Sequence, residues 1–502
     1  MSLFSKIKVG VVSFTETRQM SGSKARELYT RKKHLELVSF LKKKGFEVVD
    51  PMPIFRKERS EIFGLNKREE TFECARFFNG QNIDCLVIGC WHWTDIYLPV
   101  QLVTEVNCPV ALYTEDDPAW AGSVYISALS ASLREVAPNR SALVHKRIKG
   151  NKPELYRWIK GVGALQKLRV ASLMLWGGDY PLRMEHLRDD YSYLKSFLVG
   201  EILSEGQYIL IRKAEDILAS QSERVDSFLK WLRANKAKVI YDKQMCTSTV
   251  LQKQAALYLA AKDRLKELKG ENIVGVSVKC QPEVNTFWGV NACFLPAFLP
   301  FPWDSEGKKE IVPTVCEGDI KSLITSCLLY LISGEVPPMF GDVRYIGDKY
   351  WVLSNCGATS IFYASYSLNP LETLSRVTIR GNCHGVSGAA VGYLSPPATY
   401  TLARLIRIQG KYFMQLGLGQ VMKTDEKIQK KLGFGSMWPI SVLKMTVDPE
   451  LFFEIIGSNH FCAILGDISS EMTFACQQAA IPIVRIDSEE ELRRAMDDLV
   501  QL

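Results

Sequence analysis

The stretch Ile-Lys-Val-Gly-Val-Val-Ser-Phe at positions 7–14 is a short apolar run rich in β-branched residues, and it predicts a buried strand. Residues 24–44 follow with apolar side chains at helical spacing, and Gly45 marks the end of that helix. Further strand-like runs at 84–90 and 109–113 alternate with helical segments. This alternation predicts a parallel sheet with helices on both faces.

A second alternation of strands and helices starts after residue 168. The segment 169–176 predicts a strand that ends at a Gly-Gly pair, and two more strands are predicted at 273–279 and 312–316. Beyond about residue 343, short β-like runs are separated by turn residues, which is typical of antiparallel strands in a small barrel or sandwich. Helical segments close the chain.

The predicted fold class is therefore α/β, with two successive doubly wound parallel-sheet domains and a β-rich, antiparallel barrel-like C-terminal domain with terminal helices. We predict the boundaries of the three domains as 1–168, 169–345 and 346–502. In parallel sheets of this kind, ligands bind at the carboxyl ends of the strands, so functional residues are expected there.

The composition is that of an ordinary globular protein. Of 502 residues, 47% are hydrophobic and 23% are charged, and a formal net charge of +7 is mild for this length. No basic block suggests a nucleic-acid partner, and no apolar run is long enough to predict a membrane span. The 13 cysteines form no CxxC pair and the first residues do not resemble a signal peptide, so we expect a cytoplasmic protein.

Two carboxylates are candidate functional groups because each follows an apolar run. Glu317 comes directly after the strand-like residues 311–316, and Asp342 ends the apolar run 336–341. Their separation of 25 residues fits one strand–helix–strand step, which predicts that both lie at the ends of adjacent parallel strands. A close carboxylate pair requires a cation or a shared proton, and His460 could supply a nitrogen ligand to a divalent ion. From spacing alone, a capping or surface role for the carboxylates and a buried structural role for the histidine stay open.

Short motifs around these residues resemble the motifs of a known protein family. Val-Cys-Glu-Gly-Asp at 315–319, Phe-Gly-Asp-Val-Arg at 340–344 and Ser-Asn-His at 458–460 are similar, in order and spacing, to the metal-site motifs of the L-fucose isomerase and L-arabinose isomerase superfamily. The likeness extends to an arginine after the first strand, a Cys-Trp pair after the third, a Gly-Gly strand end and a glutamine before the glutamate. These residues are Arg18, Cys90-Trp91, Gly177-Gly178 and Gln281.

The resemblance implies an aldose–ketose isomerase that converts an open-chain sugar through a cis-enediol. It implies that Glu317, Asp342 and His460 bind Mn²⁺ or another divalent cation, with the two carboxylates also acting as base and acid. The residues that it suggests for sugar binding are Arg18, Trp91, Gln281, Asn459 and Trp438. Because the equivalents of Arg18 and Trp91 reach a neighbouring subunit in fucose-type enzymes, it also implies a homo-oligomer, a trimer or hexamer, with shared active sites.

The sequence departs from the family around the sugar site. The residues at 91–93 and 455–457 are not the usual ones, and His384 lies too late to replace the second histidine ligand of arabinose isomerases, so we interpret it as a loop or supporting residue. Three functions stay open: an isomerase of a neutral aldose, an isomerase of an acidic sugar such as the sulfonated hexose sulfoquinovose, and a non-catalytic sugar-binding or regulatory protein. The cations Lys279 and Arg183 allow the second function, and the retained ligand set argues against the third.

Overall fold

The computed structural model describes residues 6–18, 23–56, 61–178, 184–334, 336–382 and 385–500. Arg183 and His384, which the sequence analysis singled out, lie outside the described residues. The chain divides into two compact units, of which the first comprises Met1–Lys167 with Thr473–Gln478 and the second Leu168–Met472 with Ala479–Leu502. The division into three domains stays a prediction.

The first unit is built around a parallel sheet. Its strands are β1 (Lys8–Ser13), β2 (Glu47–Val49), β3 (Cys85–Gly89), β4 (Val110–Thr114) and β5 (Lys146–Lys149). They lie in the order β2-β1-β3-β4-β5, and each neighbouring pair is parallel. The helices of this part of the chain are α1 (Ser23–Lys43), α2 (Met52–Phe55), α3 (Arg68–Gln81), α4 (Tyr97–Glu105), α5 (Gly122–Val136), α6 (Arg140–Leu143) and α7 (Lys152–Arg169).

The burial pattern of β1 explains why this sheet has helices on both faces. Val9 and Val11 pack into one apolar cluster together with Leu41 of α1, whereas Val12, which points to the opposite face, packs into another. Helix α1 ends where the sequence indicates, because Gly45 adopts a φ of +88° that residues with a side chain rarely adopt. The strand and helix predicted from this opening stretch are confirmed.

The second unit contains the strands β6 (Ser172–Trp176), β7 (Glu201–Glu205), β8 (Lys238–Ile240), β9 (Ile273–Val278), β10 (Trp303–Asp304), β11 (Gly307–Lys308), β12 (Thr314–Cys316), β13 (Met339–Ile346), β14 (Tyr350–Ser354), β15 (Thr378–Gly381), β16 (Ala389–Leu394), β17 (Ala398–Ile408), β18 (Lys411–Val421), β19 (Pro439–Lys444), β20 (His460–Leu465) and β21 (Ile483–Arg485). The remaining α-helices of the chain are α8 (Tyr191–Phe197), α9 (Tyr208–Ser220), α10 (Ser222–Ala234), α11 (Ser248–Glu267), α12 (Phe294–Phe298), α13 (Ile320–Ser333), α14 (Pro370–Leu374), α15 (Glu426–Lys431), α16 (Pro449–Ile455), α17 (Ser469–Ala479) and α18 (Glu489–Val500). Short helical turns of other types cover Glu185–Leu187, Lys269–Glu271, Cys280–Phe287, Ile361–Ala364 and Gly433–Met437. Across the described ranges, no helix combines the length and the apolar character that a membrane crossing demands.

Two sheets position the site in the second unit. A parallel sheet has the strand order β12-β9-β6-β7. The strands β18-β17-β20-β13-β14-β19 form an antiparallel series, and a pairing between β18 and β19 closes it into a six-stranded barrel. The α/β fold class with parallel sheets followed by an antiparallel barrel and terminal helices is confirmed.

Helix α13 connects these two sheets. Its buried residues contact β9 and β12 of the parallel sheet and β17 and β20 of the barrel. Because α13 is buried on nearly every side, most of its side chains are apolar, which explains the apolar character of residues 323–330. The start of α13 therefore lies between the parallel sheet and the first residue of β20.

One expectation about the carboxylates is wrong. Asp342 does not end a parallel strand beside that of Glu317, because β13 belongs to the barrel and pairs antiparallel with β14 and β20. The apolar run before Asp342 suits a buried strand of either kind of sheet, so its composition does not distinguish them. The two carboxylates therefore come from two different sheets.

Candidate functional site

Glu317 occupies a strained turn between β12 and α13. Its φ of +66° lies in the left-handed region, and Gly318 follows with a φ of +65°. Its backbone N–H donates to the carbonyl of Val278 at 2.8 Å, so the turn stays attached to β9. This geometry directs the chain sharply from strand to helix and leaves the carboxylate 23% exposed. Residues other than glycine rarely adopt this conformation, and those that do are concentrated at functional sites.

Asp342 and His460 face each other across neighbouring barrel strands. They form a register pair of β13 and β20, and Asp342 Oδ1 lies 3.4 Å from His460 Nε2. Glu317 Oε2 lies 3.5 Å from the same nitrogen. The structure thus brings together the three residues that the sequence predicts as metal ligands.

The imidazole of His460 is fully buried, and one of its two nitrogens has no hydrogen-bond partner among the described residues. Nδ1 lies 2.8 Å from Asp319 Oδ2, whereas Nε2 makes no hydrogen bond of standard geometry with the described residues. Burial lowers the pKa of His460, but the hydrogen bond to Asp319 and the carboxylates of Asp342 and Glu317 outweigh it and hold this pKa well above its usual value. A proton or a metal cation at Nε2 would balance the negative charge of the Asp342 and Glu317 carboxylates.

The donor set fits a divalent cation. Two carboxylates with one imidazole suit ions such as Mn²⁺ and leave further coordination positions open. Within the described part of the chain, no group of three His, Cys, Asp or Glu side chains is arranged so that it could hold a metal ion as it stands. The three side chains therefore approach one another, but they are not placed closely enough to bind an ion as they stand.

Asp319 supports this centre from the start of α13. Its carboxylate caps the helix by accepting from the Ser322 N–H at 3.0 Å, and it pairs with the buried guanidinium of Arg404. Burial raises the pKa of Asp319, but Arg404 and His460 outweigh burial and hold the pKa well below its usual range. The carboxylate therefore accepts the Nδ1–H of His460 and orients the ring, as carboxylates do behind metal-binding histidines. Sequence reasoning missed this role, although Asp319 ends the motif around Glu317 and sits at a helix-capping position.

Asn459 links Asp342 to a histidine in the loop after β6. Its Nδ2 donates to Asp342 Oδ1 at 3.1 Å, and its Oδ1 lies 3.0 Å from His186 Nε2. Because an ionised carboxylate only accepts, the amide must direct its NH₂ group to Asp342, so His186 donates from Nε2. Burial lowers the pKa of His186 more than this hydrogen bond raises it. Sequence reasoning missed His186, and the signal that could have found it is its place beyond the carboxyl end of a parallel strand.

Gln281 and Glu317 line one small cavity of the second unit. Its volume is about 50 Å³. Its wall consists of one carboxylate together with thiols, amides and small apolar groups, contributed by Cys280, Gln281, Asn285, Asn291, Ala292, Cys293, Pro296, Cys316, Glu317, Asn355, Cys356, Ala358 and Asn382. The predicted glutamine therefore borders the same space as the predicted glutamate.

Trp438 is buried at the edge of this region. Its indole N–H donates to Asn382 Oδ1 at 3.0 Å, and the guanidinium of Arg344 lies over its ring at 4.6 Å from the ring centre. With 6% of its surface exposed, the ring has one face occupied by Arg344. Its predicted contact with a sugar stays a prediction.

The other predicted sugar-binding residues, Arg18 and Trp91, belong to the first unit. Arg18 is exposed and its guanidinium lies 3.0 Å from Glu16. Trp91 is 2% exposed, and its indole N–H donates to Ser13 Oγ at 2.8 Å. Their roles toward a sugar stay predictions.

One comparison with known proteins gives a match. The family model described as "L-fucose isomerase, C-terminal domain" matches residues 353–487. This range runs from β14 to the residues after β21 and includes His460, Asn459 and Trp438. No curated protein matches the chain.

Proposed function

We propose that the chain is a metal-dependent aldose–ketose isomerase of an open-chain sugar, since the model of the L-fucose isomerase C-terminal domain matches its residues 353–487. The observation that carries the proposal is the convergence of Glu317 and Asp342 on the unpaired Nε2 of the buried His460. Sugar binding alone requires no such set, so the convergence favours a catalyst over a non-catalytic sugar-binding or regulatory protein.

Glu317, Asp342 and His460 would hold the cation, for which we propose Mn²⁺. When bound, such an ion would polarise the carbonyl and the neighbouring hydroxyl of the sugar and would make the C–H group beside the carbonyl more acidic. Asp319 keeps the proton of His460 on Nδ1, so that Nε2 presents its lone pair to the site. Asn459 holds Asp342 in place by donating to its Oδ1.

The proton transfers belong to the two carboxylates. Isomerisation removes a proton from the carbon beside the carbonyl, passes through an enediol, and returns a proton to the former carbonyl carbon. One of the carboxylates of Glu317 and Asp342 accepts and returns this proton, while the other exchanges a proton with the sugar oxygens. Both are partly exposed, with 23% and 28% of their side chains accessible, so a sugar can reach them.

The acidic-sugar alternative gains no support from the described residues. Lys279 Nζ lies 2.8 Å from Glu283 Oε1, so this cation already has an anionic partner. Arg183 lies outside the described residues. A neutral aldose is therefore the substrate class that we propose.

The test is an isomerase assay on the whole purified protein. The protein is dialysed against a chelator and then assayed for ketose formation from a panel of neutral and acidic aldoses, with and without added Mn²⁺. We expect no turnover without metal and restored turnover with it. Undiminished turnover in demonstrably metal-free protein, or no turnover of any aldose with Mn²⁺ bound, would contradict the proposal.

We also propose a homo-oligomer, a trimer or hexamer, on the basis of the resemblance at Arg18 and Trp91. Sedimentation velocity at several protein concentrations tests it. A monomer with full activity would contradict both the assembly and the sharing of sites.

A further inference from the structure

The cavity beside Glu317 contains a buried amide whose hydrogen-bond donors have no partner. Asn291 is 2% exposed and lines this cavity. Its Nδ2 has no hydrogen-bond partner among the residues that the structure describes. An unpaired donor costs free energy in a protein interior, so its retention requires an explanation, and a bound ligand that accepts from it is one.

Neighbouring groups fix which way this amide points. The backbone N–H of Ala389 can only donate, and it donates to Gln254 Oε1 at 2.8 Å. The other end of the Gln254 side chain must then be its NH₂ group, which donates to Asn291 Oδ1 at 2.6 Å. The backbone N–H of Cys293 also donates to this oxygen, at 3.2 Å. Both donors require an oxygen acceptor at the position of Oδ1, so the unpaired group of Asn291 is its NH₂ group.

A glycine packs directly against this amide. Gly388 has a φ of +133°, and a Cβ atom built on it would lie 2.2 Å from Asn291 Nδ2. The loop that carries Gly388 therefore approaches the amide so closely that a side chain at this position would not fit.

The rest of the cavity wall carries no cationic side chain. Apart from Glu317 its lining is made of thiols, amides and small apolar groups, and it includes no Lys, Arg or His. The amides of this wall can form hydrogen bonds with neutral hydroxyl groups, and the wall has no cation to pair with a sulfonate or phosphate.

The volume limits what can enter. A cavity of about 50 Å³ holds a few water-sized groups, which corresponds to the end of a sugar chain and not to a whole sugar. Since Glu317 stands at the wall, the reacting carbons would lie at this carboxylate and the opposite end of the chain would extend inward.

We propose that Asn291 is a substrate-binding residue that donates from Nδ2 to a hydroxyl oxygen of a neutral polyhydroxyl chain. This inference rests on the proposed isomerase function and specifies its substrate class. The protein would bind the end of the sugar chain remote from the reacting carbons as a neutral, hydroxylated group.

The experiment measures binding of unreactive sugar alcohols to the whole protein in the presence of Mn²⁺. The probes are galactitol and arabinitol, variants of each that lack one hydroxyl, and a hexitol that carries a terminal sulfonate. We expect one deoxygenated probe to bind the natural protein about tenfold more weakly than its parent, as the loss of one hydrogen bond predicts. In Asn291→Ala this difference between parent and deoxygenated probe should disappear, because the donor is gone. The sulfonated probe should bind no more tightly than its parent.

Two further variants separate ligand recognition from stability. Asn291→Asp keeps the oxygen that Gln254 and Cys293 require but replaces the donor with an acceptor, so the hydroxyl would have to donate and the discrimination should differ from that of the natural protein. Asn139→Ala is the matched control, because the amide of Asn139 in the first unit is fully bonded to backbone groups and lies outside the cavity. It should lower the thermal midpoint without changing probe binding.

The outcomes distinguish the two proposals. If Asn291→Ala and Asn291→Asp both discriminate between the probes as the natural protein does, the inference about Asn291 is wrong even where isomerase activity is found. If probe binding depends on Asn291 but no aldose is converted, the inference stands and the proposed isomerase function fails. Tighter binding of the sulfonated probe would overturn the neutral substrate class.

Discussion

Asp342 and His460 are partners in the register of two antiparallel barrel strands, and their Oδ1 and Nε2 atoms lie 3.4 Å apart. Side chains of such a pair lie on the same face of the sheet, so the pairing itself places both groups beside Glu317. A slip of one residue between β13 and β20 would move one of the two to the opposite face. The geometry of the proposed centre is therefore a consequence of barrel register.

Removing either carboxylate should remove activity without unfolding the protein. In Glu317→Gln and Asp342→Asn the side-chain shape is kept but a proton acceptor and an anionic ligand are lost. We expect turnover to fall by about 100-fold or more and Mn²⁺ binding to weaken, as measured by ketose formation and by titration calorimetry. Asp348→Asn, which changes an exposed acid in the turn after β13, is the matched control and should keep normal turnover. Normal turnover in Glu317→Gln would exclude this carboxylate from catalysis.

The buried ion pair behind His460 should be essential for stability. Asp319 and Arg404 are both at most 1% exposed in their side chains, and Asp319→Asn would leave the guanidinium without a counter-charge. Loss of one partner of a buried pair costs about 3–5 kcal/mol of unfolding free energy, which urea denaturation would measure. Asp319→Asn combined with Arg404→Met should recover a large part of this loss, since no unpaired charge then remains. A loss below about 1 kcal/mol in the single variant would mean that the pair contributes little.

The sequence predicts the elements of the first unit well because they are regular. The opening strand is a continuous β-branched run, α1 has a clear helical period, and Gly45 ends it with a positive φ. The candidate ligands Glu317, Asp342 and His460 also come together as predicted, although the reasoning that placed Asp342 in the parallel sheet is wrong. Strand composition indicates burial but does not specify which sheet a strand joins.

The residues that were missed depend on contacts between distant segments. The donors of Asn291 are unpaired only because Gln254 and Ala389 orient its amide, and these residues are far from it in sequence. His186 reaches the centre through Asn459, whose partner Asp342 lies on another strand. No local pattern carries such information, since each contact depends on how the parallel sheet, α13 and the barrel pack together.

The hairpin of β10 and β11 should make stability depend on acid pH. Burial raises the pKa of Glu306, but Arg224 and Lys262, at 2.7 and 2.6 Å, outweigh it and lower this pKa to about 2. A carboxylate with a lowered pKa stabilises the folded state above its unfolded pKa, near 4.5, and this contribution is lost as the pH falls toward 2. We expect it to be about 1–2 kcal/mol after allowance for solvent screening.

The measurement for Glu306 compares urea denaturation of the natural protein and Glu306→Gln between pH 2 and pH 7. The variant should be less stable near pH 7, and the difference should vanish at the acid end. The exposed Glu310→Gln serves as the control and should follow the natural protein. A difference that is constant over the whole pH range would show that packing, and not ionisation, accounts for the effect.

The conformation of Glu317 should cost stability that a glycine at this position recovers. A residue with a side chain pays about 1–2 kcal/mol in the left-handed region, whereas glycine adopts it freely. Glu317→Ala and Glu317→Gly both lack the carboxylate, so both should be inactive, but the glycine variant should have the higher unfolding free energy, by about 1 kcal/mol. Denaturant unfolding of the two variants measures this difference with the loss of the carboxylate held constant. If the alanine variant is as stable as the glycine variant, the turn is not strained, and the left-handed φ of +66° carries no cost that function must justify.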